Sequence, residues 1–224
     1  MTRTIQLTSA DGHEFSAYCA DPDIASATAV VVIQEIFGVN AHIRSVCDRI
    51  AALGHTAVAP ALFDRVERGF ESGYTEADVA AARTYVPRVA TGDMLTDVEA
   101  AVRMLRDEGK SVAVIGFCLG GSLAFLAAQQ MLGLAGAIGY YGGRIAAASG
   151  TAPACPTQLH FGALDESIPL ADVAAIEAAR PDCDVHLYAG GGHGFHCDAR
   201  AAYHAPSASR AWTRSTAFLA ACFA

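Results

Sequence analysis

The chain has no C-x-x-C pair, no run of basic residues and no long apolar stretch, and each absence removes a class of function. Apolar runs such as "AVVVI" (29–33) fall far short of the roughly 20 residues that a membrane span needs. No membrane partner is expected. The first residues, "MTRTIQLTSADG", carry no apolar h-region of the secretory type, so an unexported, soluble, cytoplasmic protein is expected. The 15 Lys and Arg are scattered against 23 Asp and Glu, for a net charge of -8. Polyanions are held by clustered cations, so nucleic acid is not expected as a ligand. The histidines at 13, 42, 55, 160, 186 and 204 show no metal-ligand spacing, so no metal or other cofactor is expected.

The seven cysteines, at 19, 47, 118, 155, 183, 197 and 222, are odd in number and widely scattered, with neither redox nor zinc spacing. They read as reduced thiols of a cytosolic protein. For six of them the behaviour of cysteine as a small hydrophobe is account enough. Cys118 lies in "VIGFCLGGS" (114–122), where a buried strand breaks sharply into a helix, and needs its own explanation.

What is present is enough apolar material for one sizeable core: 53% hydrophobic residues in 224, read as a single domain over residues 1–224. "TIQLTSADGHEFSAYCA" alternates, turns at Asp11-Gly12 and alternates again, which predicts an N-terminal β-hairpin. After it, strand and helix patterns alternate. "AVVVIQE" is followed by helical "HIRSVCDRIAALG", then strand "HTAVAP", helix "MLTDVEAAVRMLRDEG", strand "SVAVIG" and helix "LGGSLAFLAAQQML". Strands "AGAIGYY" and "TQLHFG", helix "PLADVAAIEAAR", strand "CDVHLY" and a helix around "SRAWTRSTAFLAA" complete the series. Such alternation predicts an α/β fold with a mostly parallel, doubly wound sheet and helices on both faces. "RIAAASGTAPACP" (144–156) reads as a surface loop, and residues 62–89 as a partial cap over the sheet. There is no internal repeat.

Gly116-Phe117-Cys118-Leu119-Gly120 fits the G-x-nucleophile-x-G elbow between a strand and a helix. A strained strand-to-helix turn leaves no room for Cβ atoms two residues either side, hence the glycines. The turn sets the Cys118 sulfur over the N-terminus of the next helix, where dipole and unpaired N–H groups favour a thiolate. The N–H of Leu119 faces the same space as an oxyanion-hole candidate.

An elbow of this kind calls for an acid and then a histidine in loops after later strands. Asp165 lies just past a strand in "LHFGALDESIP", where the competing reading is a turn or N-cap aspartate ahead of Ile168-Pro169. His193 lies after a strand in "LYAGGGHGFH", among glycines that offer it no packing shell. Spacing alone leaves His196 as a rival. Together Cys118, His193 and Asp165 make a nucleophile, a base and an orienting acid for attack on a carbonyl.

On "QEIFGVNAHIR" (34–44), "AVAPALF" (57–63), "VIGFCLGGSLAF" (114–125), "GYYGG" (139–143), "GALDESIP" (162–169) and "GGHGFHCDARAAY" (191–203) the sequence resembles the dienelactone hydrolase family, the carboxymethylenebutenolidases of the α/β-hydrolase fold. The resemblance implies a triad of Cys118, Asp165 and His193. It also implies that Glu35 holds the nucleophile at rest and releases a thiolate when substrate binds, and that the N–H of Ile36 joins that of Leu119 in the oxyanion hole. Two arginines bind the substrate carboxylate in lactone-cleaving members. Arg83 is the candidate for the first, and Cys197 stands at the second position, with His196 and Arg200 beside it. Tyr85, Tyr141 and His196 complete the candidate substrate-binding set.

The reading is therefore a carboxylic ester hydrolase acting on a small ester or lactone through an acyl-enzyme, without cofactor, as a monomer or small homo-oligomer. A class I glutaminase would carry its acid two residues after the histidine, where Phe195 stands. A Cys/Glu hydratase or deglycase leaves Asp165 and "GGHGF" unused. A catalytically idle scaffold used for ligand binding or thiol redox sensing is the alternative from another class.

Overall fold

The structure, a computed structural model, describes residues 1–224 and resolves them into two compact units, 1–114 and 115–224. The first holds β1 (Thr2–Thr8), β2 (Glu14–Ala20), β3 (Thr28–Ile33), α1 (Ala41–Ala52), β4 (Thr56–Pro60), α2 (Glu76–Arg83) and α3 (Thr91–Asp107). Its strand order is β1-β2-β4-β3. β1 and β2 form the expected antiparallel hairpin, turned at Gly12 with φ 84°, and Leu7 faces Phe15 across it, both buried. β3 and β4 pair in parallel and carry side chains that are almost wholly buried, as the continuous β-branched run of β3 requires. Helices α1 and α3 pack on these strands.

α1 begins where the Asn40 side chain accepts from the Ile43 N–H, and α2 begins on a reciprocal capping box between Thr75 and Asp78. The region 62–89 is ordered around α2 and two short 3-10 turns, Leu62–Arg65 and Val86–Arg88. It is tied to α3 by Arg65, whose Nε and Nη2 reach the two oxygens of the fully buried Asp97 at 2.8 and 2.7 Å.

The second unit takes up β5 (Ser111–Phe117), which runs across the division, and continues through α4 (Leu119–Gln130), β6 (Ala137–Tyr140), α5 (Ile145–Ala148), β7 (Thr157–Gly162), α6 (Leu170–Ala179), β8 (Asp184–Tyr188) and α7 (Ala205–Cys222). Strand order here is β5-β6-β7-β8, with β6/β7 and β7/β8 parallel. α4 packs on β6 and α7 on β7. Three local expectations are corrected. The stretch 144–156 is not all loop: α5 forms there, because Ile145 finds a fully buried position. β6 stops at Tyr140, since Tyr141 turns to φ 39° and leaves the strand. α7 starts at Ala205, four residues before the predicted segment, with Pro206 in its first turn, where proline's missing N–H costs nothing.

Candidate active site

In residues 115–224 the strand β5 delivers the chain to Cys118, which caps α4 with φ 53° and ψ -110°. A non-glycine residue in that region is strained by about 1–3 kcal/mol and is held there by its surroundings. Gly116 shows why the elbow needs its glycine: a Cβ at that position would lie 1.9 Å from the Gly120 carbonyl oxygen. The Cys118 N–H donates to the Tyr140 carbonyl at 3.0 Å, fixing the turn from β6. The sulfur is therefore presented at the first turn of α4, where Leu119 N–H is one of the donors that a helix leaves unpaired.

His193 arrives from the loop after β8 and lies with Nε2 3.1 Å from the Cys118 sulfur and Nδ1 2.8 Å from Asp165 Oδ2. Asp165 arrives from the loop after β7. Its side chain has no exposed surface, while that of His193 is 22% exposed. The turn role expected for Asp165 is also real, but on its other oxygen: Oδ1 accepts from the Ser167 N–H at 2.8 Å, and Pro169 caps α6. One carboxylate serves two donors. Burial alone would push the His193 imidazolium down, but hydrogen bonds to Asp165 and Cys118, and their charges, outweigh it and raise the ring's pKa to about 10.

The glycines near His193 are a correction. They do not leave the residue loosely surrounded: the Tyr141 ring lies 5.4 Å from the imidazole, and a Cβ on Gly162 would meet the Gly191 carbonyl oxygen at 2.3 Å. The glycines allow the β7 end and the histidine loop to close on one another. His196, the rival, is 4% exposed, with its ring 5.3 Å from Phe117, 5.0 Å from Tyr140 and 5.7 Å from Trp212. It is part of an aromatic cluster, and Tyr141 is likewise fully buried. Ser122 is no second nucleophile, since its Oγ accepts from the Arg144 N–H at 3.1 Å.

In residues 1–114, Glu35 follows β3 and is 1% exposed, with the Tyr74 hydroxyl donating to its Oε2 at 3.5 Å. Tyr74 is placed by Asn40, whose amide donates to its hydroxyl at 3.0 Å, and by edge contact with Phe37. Ile36 is half-buried in the turn that follows. Arg83 is exposed at the end of α2. The Tyr85 hydroxyl donates to Glu67, and its ring stacks on Phe70 at 3.8 Å.

The sequence reading missed the part played by β6: neither the carbonyl of Tyr140 nor the turn at Tyr141 was given a role, although "GYYGG" marked the place. Gly121 carried the signal, because a Cβ there would lie 2.3 Å from the Tyr140 oxygen. None of the seven cysteines is in a disulfide. No helix is long and apolar enough to cross a membrane.

The model of the dienelactone hydrolase family matches residues 15–223. A Synechocystis protein provisionally named a carboxymethylenebutenolidase is 37% identical over 219 residues, covering 90% of this chain and 89% of its own. The carboxymethylenebutenolidase of Pseudomonas putida is 33% identical over 233 residues, covering 98% and 97%. The crystal structure of a Klebsiella pneumoniae protein provisionally assigned as a dienelactone hydrolase superposes with TM-score 0.84 at 29% identity, covering 98% of this chain and 99% of that one. The chain is thus a hydrolase of the α/β-hydrolase fold, and it belongs to the dienelactone hydrolase family.

Proposed function

We propose that this chain, acting as one domain, hydrolyses a small ester or lactone, dienelactone-like and carboxylate-bearing, with Cys118 as nucleophile, His193 as base and Asp165 as the acid that orients it. The observation that carries the reading is the pair of contacts on one imidazole, 3.1 Å to sulfur and 2.8 Å to carboxylate. Asp165 Oδ2 can only accept, so Nδ1 carries one proton, and Nε2 is the nitrogen that exchanges a proton with the Cys118 sulfur.

His193 Nε2 takes the Cys118 proton as the sulfur bonds to the substrate carbonyl carbon, and the carbonyl electrons move to its oxygen. Following the family resemblance, the backbone N–H groups of Leu119 and Ile36 hold that oxyanion. Collapse breaks the C–O bond, and His193 returns its proton to the leaving oxygen. Water then gives a proton to His193 and its oxygen to the thioester carbon, the C–S bond breaks to release the acid, and His193 returns the proton to the sulfur. Following the family resemblance, Glu35 holds the Cys118 nucleophile at rest until substrate binds, and Arg83 anchors the substrate carboxylate; Tyr85, Tyr141 and His196 are the remaining candidates for the binding site. A small-molecule substrate is the only partner the chemistry needs.

The test is hydrolysis of dienelactone beside p-nitrophenyl acetate by wild type, Cys118→Ala and Arg83→Ala. Loss of both activities in Cys118→Ala is expected, with lactone turnover alone lost in Arg83→Ala. Ester turnover surviving in Cys118→Ala would remove the nucleophile, and lactone turnover unchanged in Arg83→Ala would remove the anchor.

A further inference from the structure

Behind the elbow, outside the reacting groups, lies a connected set of buried polar side chains centred on His160, which is 0% exposed. The Gln158 amide nitrogen donates to Asp184 Oδ2 at 2.8 Å, so its oxygen is turned to His160 Nε2 at 2.9 Å. An amide oxygen accepts only, so the His160 ring carries its proton on Nε2. Nδ1 is then left to accept from the Tyr188 hydroxyl at 2.8 Å, itself reached by Arg214 at 3.3 Å. Ser215 Oγ lies 3.0 Å from His160 Nε2 and 2.7 Å from the Tyr140 hydroxyl. Burial and the charges of His186, His196 and Arg214 hold the His160 pKa well below its ordinary value, so the ring stays neutral.

This set converges on Tyr140 and Tyr141, which touch both halves of the reacting pair. The Tyr140 carbonyl takes the Cys118 N–H, and the Tyr141 ring lies against His193. Tyr141 sits at φ 39°, a conformation that a non-glycine side chain keeps only when its surroundings impose it. The His160 carbonyl accepts the Tyr141 N–H at 2.8 Å, while its ring steers the Tyr140 side chain through Ser215. His160 thus grips the strained dipeptide by both main chain and side chain.

We propose that His160 and Ser215 are positioning residues for catalysis: through Tyr140 and Tyr141 they hold the strained turn that sets the Cys118 elbow against the His193 ring. The inference rests on Cys118 and His193 being the reacting pair. It separates stability from geometry. Removing one hydroxyl of the Tyr140–Ser215 pair leaves the other buried without that partner, whereas removing both is nearly neutral for folding. His160 Nε2 keeps Gln158 as acceptor in either case.

The experiment compares wild type, Tyr140→Phe, Ser215→Ala, the double variant and Cys118→Ala. It measures thermal midpoint, kcat and KM for p-nitrophenyl acetate, and the rate of Cys118 alkylation by iodoacetamide. The double variant is expected to regain stability lost in the singles, while kcat stays about tenfold low, KM holds within about twofold and alkylation stays slow. Recovery of kcat and alkylation together with the thermal midpoint would reduce the network to a structural role and overturn the proposal. Should the double variant not fold, Tyr140→Phe decides: a wild-type kcat and alkylation rate overturns the proposal, and a fall in both with KM unchanged supports it. Turnover persisting in Cys118→Ala would sink the reading of the site instead, whatever the other variants do.

Discussion

Replacing Asp165 by asparagine keeps the shape of the side chain and exchanges one oxygen for an amide nitrogen. In the native site the two oxygens serve two donors, Ser167 N–H and His193 Nδ1–H, each at 2.8 Å. Asparagine has one oxygen for the two. If that oxygen stays on Ser167, the amide nitrogen faces Nδ1 and forces the proton to Nε2, so the imidazole points an N–H at the Cys118 sulfur and cannot take its proton. If the oxygen turns to His193, the Ser167 N–H meets a donor instead. Loss of a charged hydrogen bond costs about 1.5–3 kcal/mol, which at about 1.4 kcal/mol per decade is roughly 10- to 150-fold in rate. The wrong tautomer adds to this, and in the serine triad the same exchange costs about 10⁴ in kcat. Asp165→Asn is therefore expected to lower kcat for p-nitrophenyl acetate by at least about 100-fold at neutral pH, with circular dichroism unchanged. A folded variant within about threefold of wild type, under 1 kcal/mol, would refute the assignment of Asp165 as the group that orients His193.

Gly116→Ala should misplace the elbow, because the new methyl would lie 1.9 Å from the Gly120 oxygen. A loss of about 1–3 kcal/mol or more by urea denaturation, together with esterase activity, is expected, and wild-type values in both would show the turn to be soft. Asp97→Ala leaves the Arg65 guanidinium, 13% exposed, without its main partner and should destabilise by about 3–5 kcal/mol in the same assay, without an active-site cause. The raised pKa of His193 means that the folded chain binds this proton more tightly than the unfolded one, so stability from it is complete below the ordinary value of 6.5 and is lost as pH rises through about 10. The stability difference between wild type and His193→Gln should shrink across that window, and a difference that grows there would reverse the sign of the shift.

Much of the architecture was legible from periodicity, because buried parallel strands and amphipathic helices write period and hydrophobicity directly into the chain. β3, α1, β5 and α4 fall within two residues of where their patterns placed them, and α3 begins three residues before its predicted segment. Boundaries set by particular contacts were not legible. Ile145 makes a helix of a stretch whose composition reads as loop, and Tyr141 leaves its strand although aromatics favour one. The choice between His193 and His196 had no local signal either, for both follow the same strand within a few residues.

The sequence by itself determined the residue types and their order: a cysteine framed by glycines between strand and helix, then an aspartate and a histidine each following a later strand. Those signals are local, since steric room at an elbow and the period of an element depend on near neighbours in the chain. Only the tertiary structure decided that His193 meets Cys118 while His196 joins the aromatic cluster, that one carboxylate serves two donors, and that His160 lies behind the elbow. His193 lies 28 positions from Asp165 and 75 from Cys118, and the geometry of those contacts is set by how strands register and loops close on one another.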